Sequence, residues 1–485
     1  MISKFRNTYE KLPLGAKAAL WYSICNMLQK AIAIIVVPIY TRILPASDYG
    51  TYTVFVSWSE IFEIFVTFRL FYDVYLVGLV KYEDDRETYT SSLEQLTVLI
   101  TLTATCLYIP FREQINAVTG LNTFAMILML LLMLSTPVVG FWRGFQRVNN
   151  NYKPLITATI AIALLSPILG ISGVLLINKD ADTVMIARTA AEVIIALILL
   201  FKSRDLFVRR PKKDYWKYAL SINVPLIPFY LSTIILNHSD RIIIQQIVGY
   251  SEAGIYSVAY SAAMITLLFN TALDYSISPW VYRKVKKGDY EGIPGVFNLA
   301  LMIIGALNLL LIAFGPEAIK ILAPAPYHEA IWIIPPLASS VFIMFMYLRF
   351  VNMEFYFEES KITGLISIGA AALNVFLNFA LIPKFGYLAA GYTTLFSYAA
   401  FGIMHFLYTR HLCKKHDCPM SMFGIRNELI IFAVFTAAAV ILSLGYKMWI
   451  LRYTIILIAA VICVIKRKEL ISLIKNIASL KKKEA

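Results

Sequence analysis

The residues that could do chemistry in this chain are charges standing inside apolar runs. Lys30 lies about halfway along the first such run, with Asn26 one helical turn away on the same face. Glu60 and Glu63 lie midway along the second, and Arg69 and Asp73 follow toward its end. Arg188 and Glu192 stand one turn apart in the sixth, and Asp240 and Arg241 are adjacent in the seventh. An ionisable group at mid-bilayer costs a few kcal/mol, about 2.5–3.5 on insertion scales, and is tolerated beside a partner or a wet cavity. These types suit binding a charged cargo or carrying a coupling ion. Arg188–Glu192 and Arg69–Asp73 also have the spacing of intrahelical ion pairs. Neighbours such as Asp240 and Arg241 point to different faces, so at least one is expected to face a cavity. Lys30 either lines that cavity or pairs with Glu60 or Glu63, and a Lys–Glu pair that opens on arrival of substrate or a proton is a workable switch. Glu94, Asp274, Arg349 and Glu354 fall nearer the ends of their runs, where snorkelling is cheap.

Other chemistry is thinly represented. His411, Cys413, His416 and Cys418 in HLCKKHDC have soft-ligand density, but the longer insert of a structural zinc site is missing and the stretch reads as a polar loop. No metal site and no cofactor is expected. The chain has no GxxxxGK[ST] phosphate cradle, so uphill transport would draw on an ion or substrate gradient.

The elements that position these residues follow from composition. Hydrophobic residues make up 59% of 485 positions, charged residues 15%, and the mean hydropathy is +0.69. A soluble domain carries roughly 25% charged residues. The chain therefore reads as an all-α integral membrane protein with little outside the bilayer. Its formal charge of +14 sits in loops, without the basic stripe and interleaved aromatics that track nucleic acid. The five cysteines form no disulfide framework, and the first apolar run, about 22 residues long, is too long for a cleaved signal.

At about 20 apolar residues per crossing, fourteen spans are expected. They cover 16–40, 50–78, 89–110, 122–145, 153–177, 182–201, 215–247, 251–278, 292–314, 329–352, 361–382, 386–408, 427–446 and 448–465. With both termini cytoplasmic, about 32 of the 44 Lys and Arg fall inside, about 7 outside and about 5 within spans. The tail from 468 to 485 reads as a basic amphipathic interfacial helix or a frayed basic end. Pro38, Ser166-Pro167 with Gly170 and Gly173, Pro225 with Pro228, and Pro335-Pro336 are expected to kink or break spans one, five, seven and ten.

LPASDYGTYTV at Leu44–Val54 echoes VGYSEAGIYSV at Val248–Val258, 204 positions on, aligning Gly50 with Gly254 and Tyr52 with Tyr256. Lys153 and Lys361, at the starts of spans five and eleven, echo at a similar offset. Six spans per unit make a parallel repeat around a central cavity, an alternating-access plan. The expected domains are residues 1–210 (spans one to six), 211–412 (spans seven to twelve), 413–467 (spans thirteen and fourteen) and the 468–485 tail.

PIYTRILPASDYGTYTV, NHSDRIIIQQIVGYSEAGIYSVAY, the span count and the repeat resemble the polysaccharide flippases of the multidrug/oligosaccharidyl-lipid/polysaccharide (MOP) exporter superfamily. The resemblance implies no enzyme. It implies a multi-pass flippase of the bacterial plasma membrane that moves undecaprenyl-diphosphate-linked oligosaccharide from the inner to the outer leaflet. The product would serve O-antigen of lipopolysaccharide, capsule or a related glycan. Membrane lipids, H+ or Na+ and polysaccharide polymerase machinery are its implied partners. The family's acidic-then-basic pair in the seventh span matches Asp240-Arg241. Lys30, Arg69, Arg241 and Asn26 are the expected substrate contacts, and Glu60, Glu63 and Asp240 the expected ion-coupling groups. The alternatives are a cation-coupled multidrug exporter, a lipid II flippase, which would carry several arginines in spans one and eight, and a membrane glycan polymerase. A polymerase usually has a long external loop, whereas the longest expected here is about 14 residues, an ordinary connection.

Overall fold

Every regular element among the described residues of the computed structural model, 13–465, is helical. In lipid every backbone group must pair internally, as in helices and closed barrels, and apolar runs of about 20 residues have the length of helical crossings. The basic tail at 468–485 lies outside the described residues.

Residues 13–254 and 255–465 belong to two compact units divided after Gly254. In the first, α1 (Leu14–Ile43) and α2 (Ala46–Thr67) are followed by a short α3 (Asp73–Lys81). Then come α4 (Arg86–Tyr108), α5 (Arg112–Thr119), α6 (Thr123–Val148), α7 (Tyr152–Leu176) and α8 (Ala181–Lys202). One turn, α9 (Arg204–Phe207), leads to α10 (Lys213–Asn223) and α11 (Ile227–Ile247). The helix α12 (Tyr250–Lys286) begins in this unit and continues into the next. The second unit holds α13 (Ile293–Ala313), α14 (Gly315–Leu322), α15 (Ile334–Tyr356), α16 (Ser360–Phe385), α17 (Ala389–Lys415), α18 (Ile425–Leu444) and α19 (Trp449–Ile465).

A helix occupies each of the fourteen expected ranges. Ten of the described helices are long and apolar enough to cross a membrane, or eleven if α4 and α5, bent by 96°, count as one span. Among the rest, α2 carries Asp48, Glu60 and Glu63, α17 is rich in Thr and Tyr and ends in Lys414-Lys415, and the apolar part of α19 is short.

The helix breakers act unequally. Pro38 and Pro167 ride inside unbroken helices, so span five is not interrupted at Ser166-Pro167. Gly170 instead receives the Tyr40 hydroxyl, which a Cβ there would meet at 2.1 Å. Pro225 and Pro228 do interrupt span seven, where a 3-10 turn at Val224–Leu226 joins α10 to α11. The unexpected break is in span two. Residues 68–72 leave the helix, and Phe68 and Arg69 both take φ of 50°. That left-handed region costs a non-glycine residue roughly 1–2 kcal/mol.

The first unit's core is aromatic. Tyr75 stacks on Tyr89 at 6.0 Å and meets Phe141 edge-on at 4.8 Å. In the second unit Phe342 stacks on Phe435 at 3.9 Å, joining α15 to α18. Span thirteen thus packs on α15.

Candidate functional site

The break after α2 assembles the site. Thr67 donates its hydroxyl to the Glu63 carbonyl at 2.6 Å and accepts the Arg69 amide at 3.1 Å. This reverse turn swings Arg69 back along α2, where its Nε comes within 3.5 Å of a Glu63 carboxylate oxygen. Tyr72 lies 3.9 Å and Tyr230 5.4 Å from the Arg69 guanidinium carbon, so aromatic faces share its charge. Asp73 accepts a hydrogen bond from Tyr230 at 3.1 Å. The expected Arg69–Asp73 intrahelical pair is therefore absent, because the helix that would align them stops between the two.

A second layer of charge joins it from α6 and α8. Arg188 lies within electrostatic reach of Tyr52, Glu60 and Glu192. Glu192 stands between Arg143 and Arg188, and the charge of Glu60 also acts on Glu63. Arg69, Arg143 and Arg188 thus face Glu60, Glu63 and Glu192 in one balanced cluster inside the first unit. Arg188 and Glu192 act through this cluster and form no ion pair within 4 Å of each other among the described residues. Arg143 is half-buried, donates no hydrogen bond among the described residues, and its Nε is buried without a partner. Sequence reading missed Arg143. Its signal is visible in retrospect as an arginine two residues before the end of the fourth apolar run.

Lys30 and Asn26 are exposed on α1, and Lys30 pairs with neither Glu60 nor Glu63. Asp240 and Arg241 are both buried in α11, at 2% and 8% exposure, and Arg241 donates to the Asn237 carbonyl at 2.9 Å. His238, one turn from Arg241, feels the charges of Arg241 and Arg188, which brings α11 to the edge of the same cluster.

The two helix breaks are fastened together. Asn223, the last residue of α10, donates its amide to the Phe68 carbonyl, the group that the break in span two frees from its helix. The repeated turns also meet. A Cβ on Gly50 would lie 1.7 Å from the Tyr250 carbonyl oxygen, and one on Gly254 would lie 2.8 Å from that of Ala46. Only glycine allows α2 and the start of α12 to approach so closely.

In the second unit two charges expected to snorkel, Arg349 and Glu354, are buried. Arg349 is 4% exposed, is ion-paired with Glu428 of α18 and donates to the Phe423 carbonyl at 2.7 Å. Glu354 of α15 is wholly buried against His405 of α17. Asn352 donates to Asp274 and Ser278 of α12 at 2.7 and 2.8 Å. Glu94, in the first unit, is also buried, at 5% exposure. No group of three or more His, Cys, Asp or Glu among the described residues could hold a metal. Of the HLCKKHDC residues, Cys413 is buried and His416 stacks on Phe357 at 4.2 Å.

Residues 16–283 match the family described as polysaccharide biosynthesis protein. A probable low-salt glycan biosynthesis flippase of Haloferax volcanii is 22% identical over 407 residues, covering 80% of this chain and 82% of that protein. Among solved structures, an inward-facing multidrug resistance MATE transporter of the MOP superfamily aligns with a TM-score of 0.62 at 14% identity, covering 82% of this chain and 98% of that one. The lipid II flippase MurJ, in an inward closed conformation, aligns equally well, with a TM-score of 0.62 at 14% identity over 90% of this chain and all of that one. The fold is thus that of the MOP superfamily.

Proposed function

The chain belongs to the polysaccharide biosynthesis protein family, and from that premise we propose that it is a flippase for polyprenyl-diphosphate-linked oligosaccharide. The carrier we infer is undecaprenyl diphosphate, and the direction is inner to outer leaflet of a bacterial plasma membrane, by alternating access. The observation that carries this reading is Arg143. A half-buried guanidinium within the charged cluster, with no hydrogen bond among the described residues, is suited to a diphosphate oxygen. Lys30, exposed on α1, adds a second cation for the head group, and Asn26 on the same face suits a sugar hydroxyl. Arg69 and Arg241 remain proposed contacts that would require their present partners to be exchanged for substrate.

Moving a diphosphate through a low-dielectric slab is costly, and cations in a wet cavity offset that cost while the polyprenyl chain stays in lipid. Glu60, Glu63 and Asp240 are the proposed coupling groups for H+ or Na+. Carboxylates that release an arginine on protonation would link the ion to cargo binding. We take all fourteen helical ranges as spans, with both termini cytoplasmic and two six-helix lobes, 1–210 and 211–412, as the repeated units. The contact between Gly50 and Gly254, equivalent positions of the repeat, supports that register. O-antigen, capsule or a related polysaccharide would be the product, handed to polymerase machinery.

The second reading is a cation-coupled multidrug exporter, favoured by the carboxylates Glu60, Glu63 and Glu192 in the same cluster. The family matched is one of glycan biosynthesis, which weighs against it, and also against a lipid II carrier as the first choice. A glycan polymerase gains nothing from structural neighbours that are a transporter and a flippase. The separating experiment is complementation of a flippase-deficient strain by wild type and by the Arg143→Gln and Lys30→Gln variants. Restored glycan export by wild type but not by the double variant supports the reading. Drug resistance without glycan export would replace it.

A further inference from the structure

Two short helices stand at matching places in the two halves of the chain. Helices α5 and α14 are each eight residues long, and Gly315–Leu322 follows Arg112–Thr119 at an offset of 203. That offset is within one of the 204 separating the repeated turns. The two helices are held in different ways. The first turns 96° from α4 and ends at Gly120, whose φ is 70°. The last carbonyls of a helix have no partner within it. Here three successive ones each accept a side chain from a different element of the first unit. The Gln246 amide of α11 donates to the Val118 carbonyl at 2.8 Å, and the Trp58 indole of α2 to that of Thr119 at 3.0 Å. The Tyr250 hydroxyl, at the start of α12, donates to that of Gly120. The fit is close, since a Cβ on Gly120 would lie 2.6 Å from the Gln245 side-chain nitrogen and 2.9 Å from the Tyr250 hydroxyl. All three donors are neutral, and two of them belong to spans seven and eight, the start of the second repeat. Helix α14 is held by charge instead. Glu317 is ion-paired with Arg452 of α19, which is 4% exposed, and accepts the Tyr453 hydroxyl at 2.7 Å. Tyr446, in the turn before α19, donates to the Ile312 carbonyl at 2.6 Å, and a Cβ on Gly315 would lie 2.5 Å from its hydroxyl.

We propose that the carboxyl end of α5 is a releasable latch, closed in this structure and open when α11 and the start of α12 move away from α5 during transport. Its counterpart α14 stays fixed to α19. Such a latch rests on the alternating-access reading and on the repeat that divides the chain into lobes. Three neutral hydrogen bonds suit the role, because each is worth little net once water can replace the donor. Water reaches the freed carbonyls, since Ala117, Val118 and Gly120 are exposed. Parting Glu317 from Arg452 would instead strand a buried charge, which keeps α14 in one place. Trp58, Gln246 and Tyr250 are thus positioning residues for the transport cycle, with no contact to the cargo required of them.

The test uses the full-length protein in lipid nanodiscs, with its five cysteines replaced by serine. Spin labels at Gln114→Cys on α5 and Val248→Cys after α11 report the latch. A second pair, at Ile321→Cys on α14 and Ile450→Cys on α19, reports the fixed helix. All four positions are exposed. Double electron–electron resonance should give a shorter and a longer distance at the first pair and one distance at the second. Gln246→Leu removes one donor and should raise the long-to-short ratio about two- to tenfold. Adding Trp58→Phe and Tyr250→Phe should carry the rise to about tenfold or more, with the second pair still at one distance. A longer distance absent from both wild type and the triple variant, a ratio that the triple variant leaves unchanged, or an equal shift at the α14–α19 pair would overturn the latch. Should the triple variant fail to fold, Gln246→Leu, at an exposed position, decides the matter alone. Cargo is read separately. Wild-type vesicles that move no lipid-linked sugar would refute the proposed substrate, while a ratio that still responds to Gln246→Leu would uphold the latch.

Discussion

Arg143 and Arg349 are two arginines whose removal should have opposite consequences. Arg143 makes no hydrogen bond among the described residues, so Arg143→Gln should leave thermal stability within about 1 kcal/mol of wild type. Its loss of a charge-assisted contact, worth about 1.5–3 kcal/mol, should reduce export ten- to a hundredfold. Arg349→Gln would strand Glu428 without its buried partner and cost about 3–5 kcal/mol, read as loss of folded protein by size exclusion and thermal unfolding. At this scale the sequence discloses where charges interrupt apolar runs, which is why Lys30, Glu60, Glu63, Asp240 and Arg241 can be singled out. It does not disclose partners far away in the chain. Glu63 finds Arg69 only because the backbone reverses between them, and Glu354 finds His405 across 51 positions. Depth read from a span boundary also misleads. Arg349, Glu354 and Glu94 sit near expected span ends, yet each is buried against other helices rather than reaching for water.

The helices carry two devices that can be tested directly. The glycine contact between α2 and α12 leaves no room for a side chain, and its closest neighbour is backbone that cannot rotate away. Gly50→Ala should therefore destabilise by about 1–3 kcal/mol or prevent folding. Gly295→Ala, with nothing within 4 Å of the added atom, should be neutral in the same thermal assay. The second device is the junction of the two helix breaks. Asn223→Ala would leave the Phe68 carbonyl without its donor and should cost about 1–3 kcal/mol. The loosening should show locally, as faster amide exchange over residues 66–72 than over α6. Protected amides there in the variant would mean that the Asn223 bond does not hold the break. Pro225 and Pro228 announce one of these breaks in the sequence. The other, at 68–72, falls in a run of Phe, Arg, Leu and Tyr with no proline or glycine, and the Thr67 hydroxyl together with the distant Asn223 amide holds it. The converse error is Pro167, which an intact α7 absorbs.

For the whole molecule, the positions of the helices were legible because lipid imposes a single rule, that apolar length must match bilayer thickness. What composition could not convey is that α2 and α17, which are not apolar enough over their length to read as spans, supply much of the buried polar chemistry, from Glu63 to His405. A transporter must place charge where lipid forbids it, so its working helices are those that hydropathy reads least well. We propose that the cationic groups of the first unit pass a diphosphate-linked glycan between leaflets. It is tested most directly in sealed vesicles holding the purified protein and a polyprenyl-diphosphate oligosaccharide loaded in one leaflet, with a membrane-impermeant hydrolase added to the other side. The expected result is protein-dependent cleavage of the lipid-linked sugar, lost in Arg143→Gln/Lys30→Gln vesicles that contain equal amounts of folded protein. Cleavage no faster than in protein-free vesicles, or equally fast with the double variant, would contradict it.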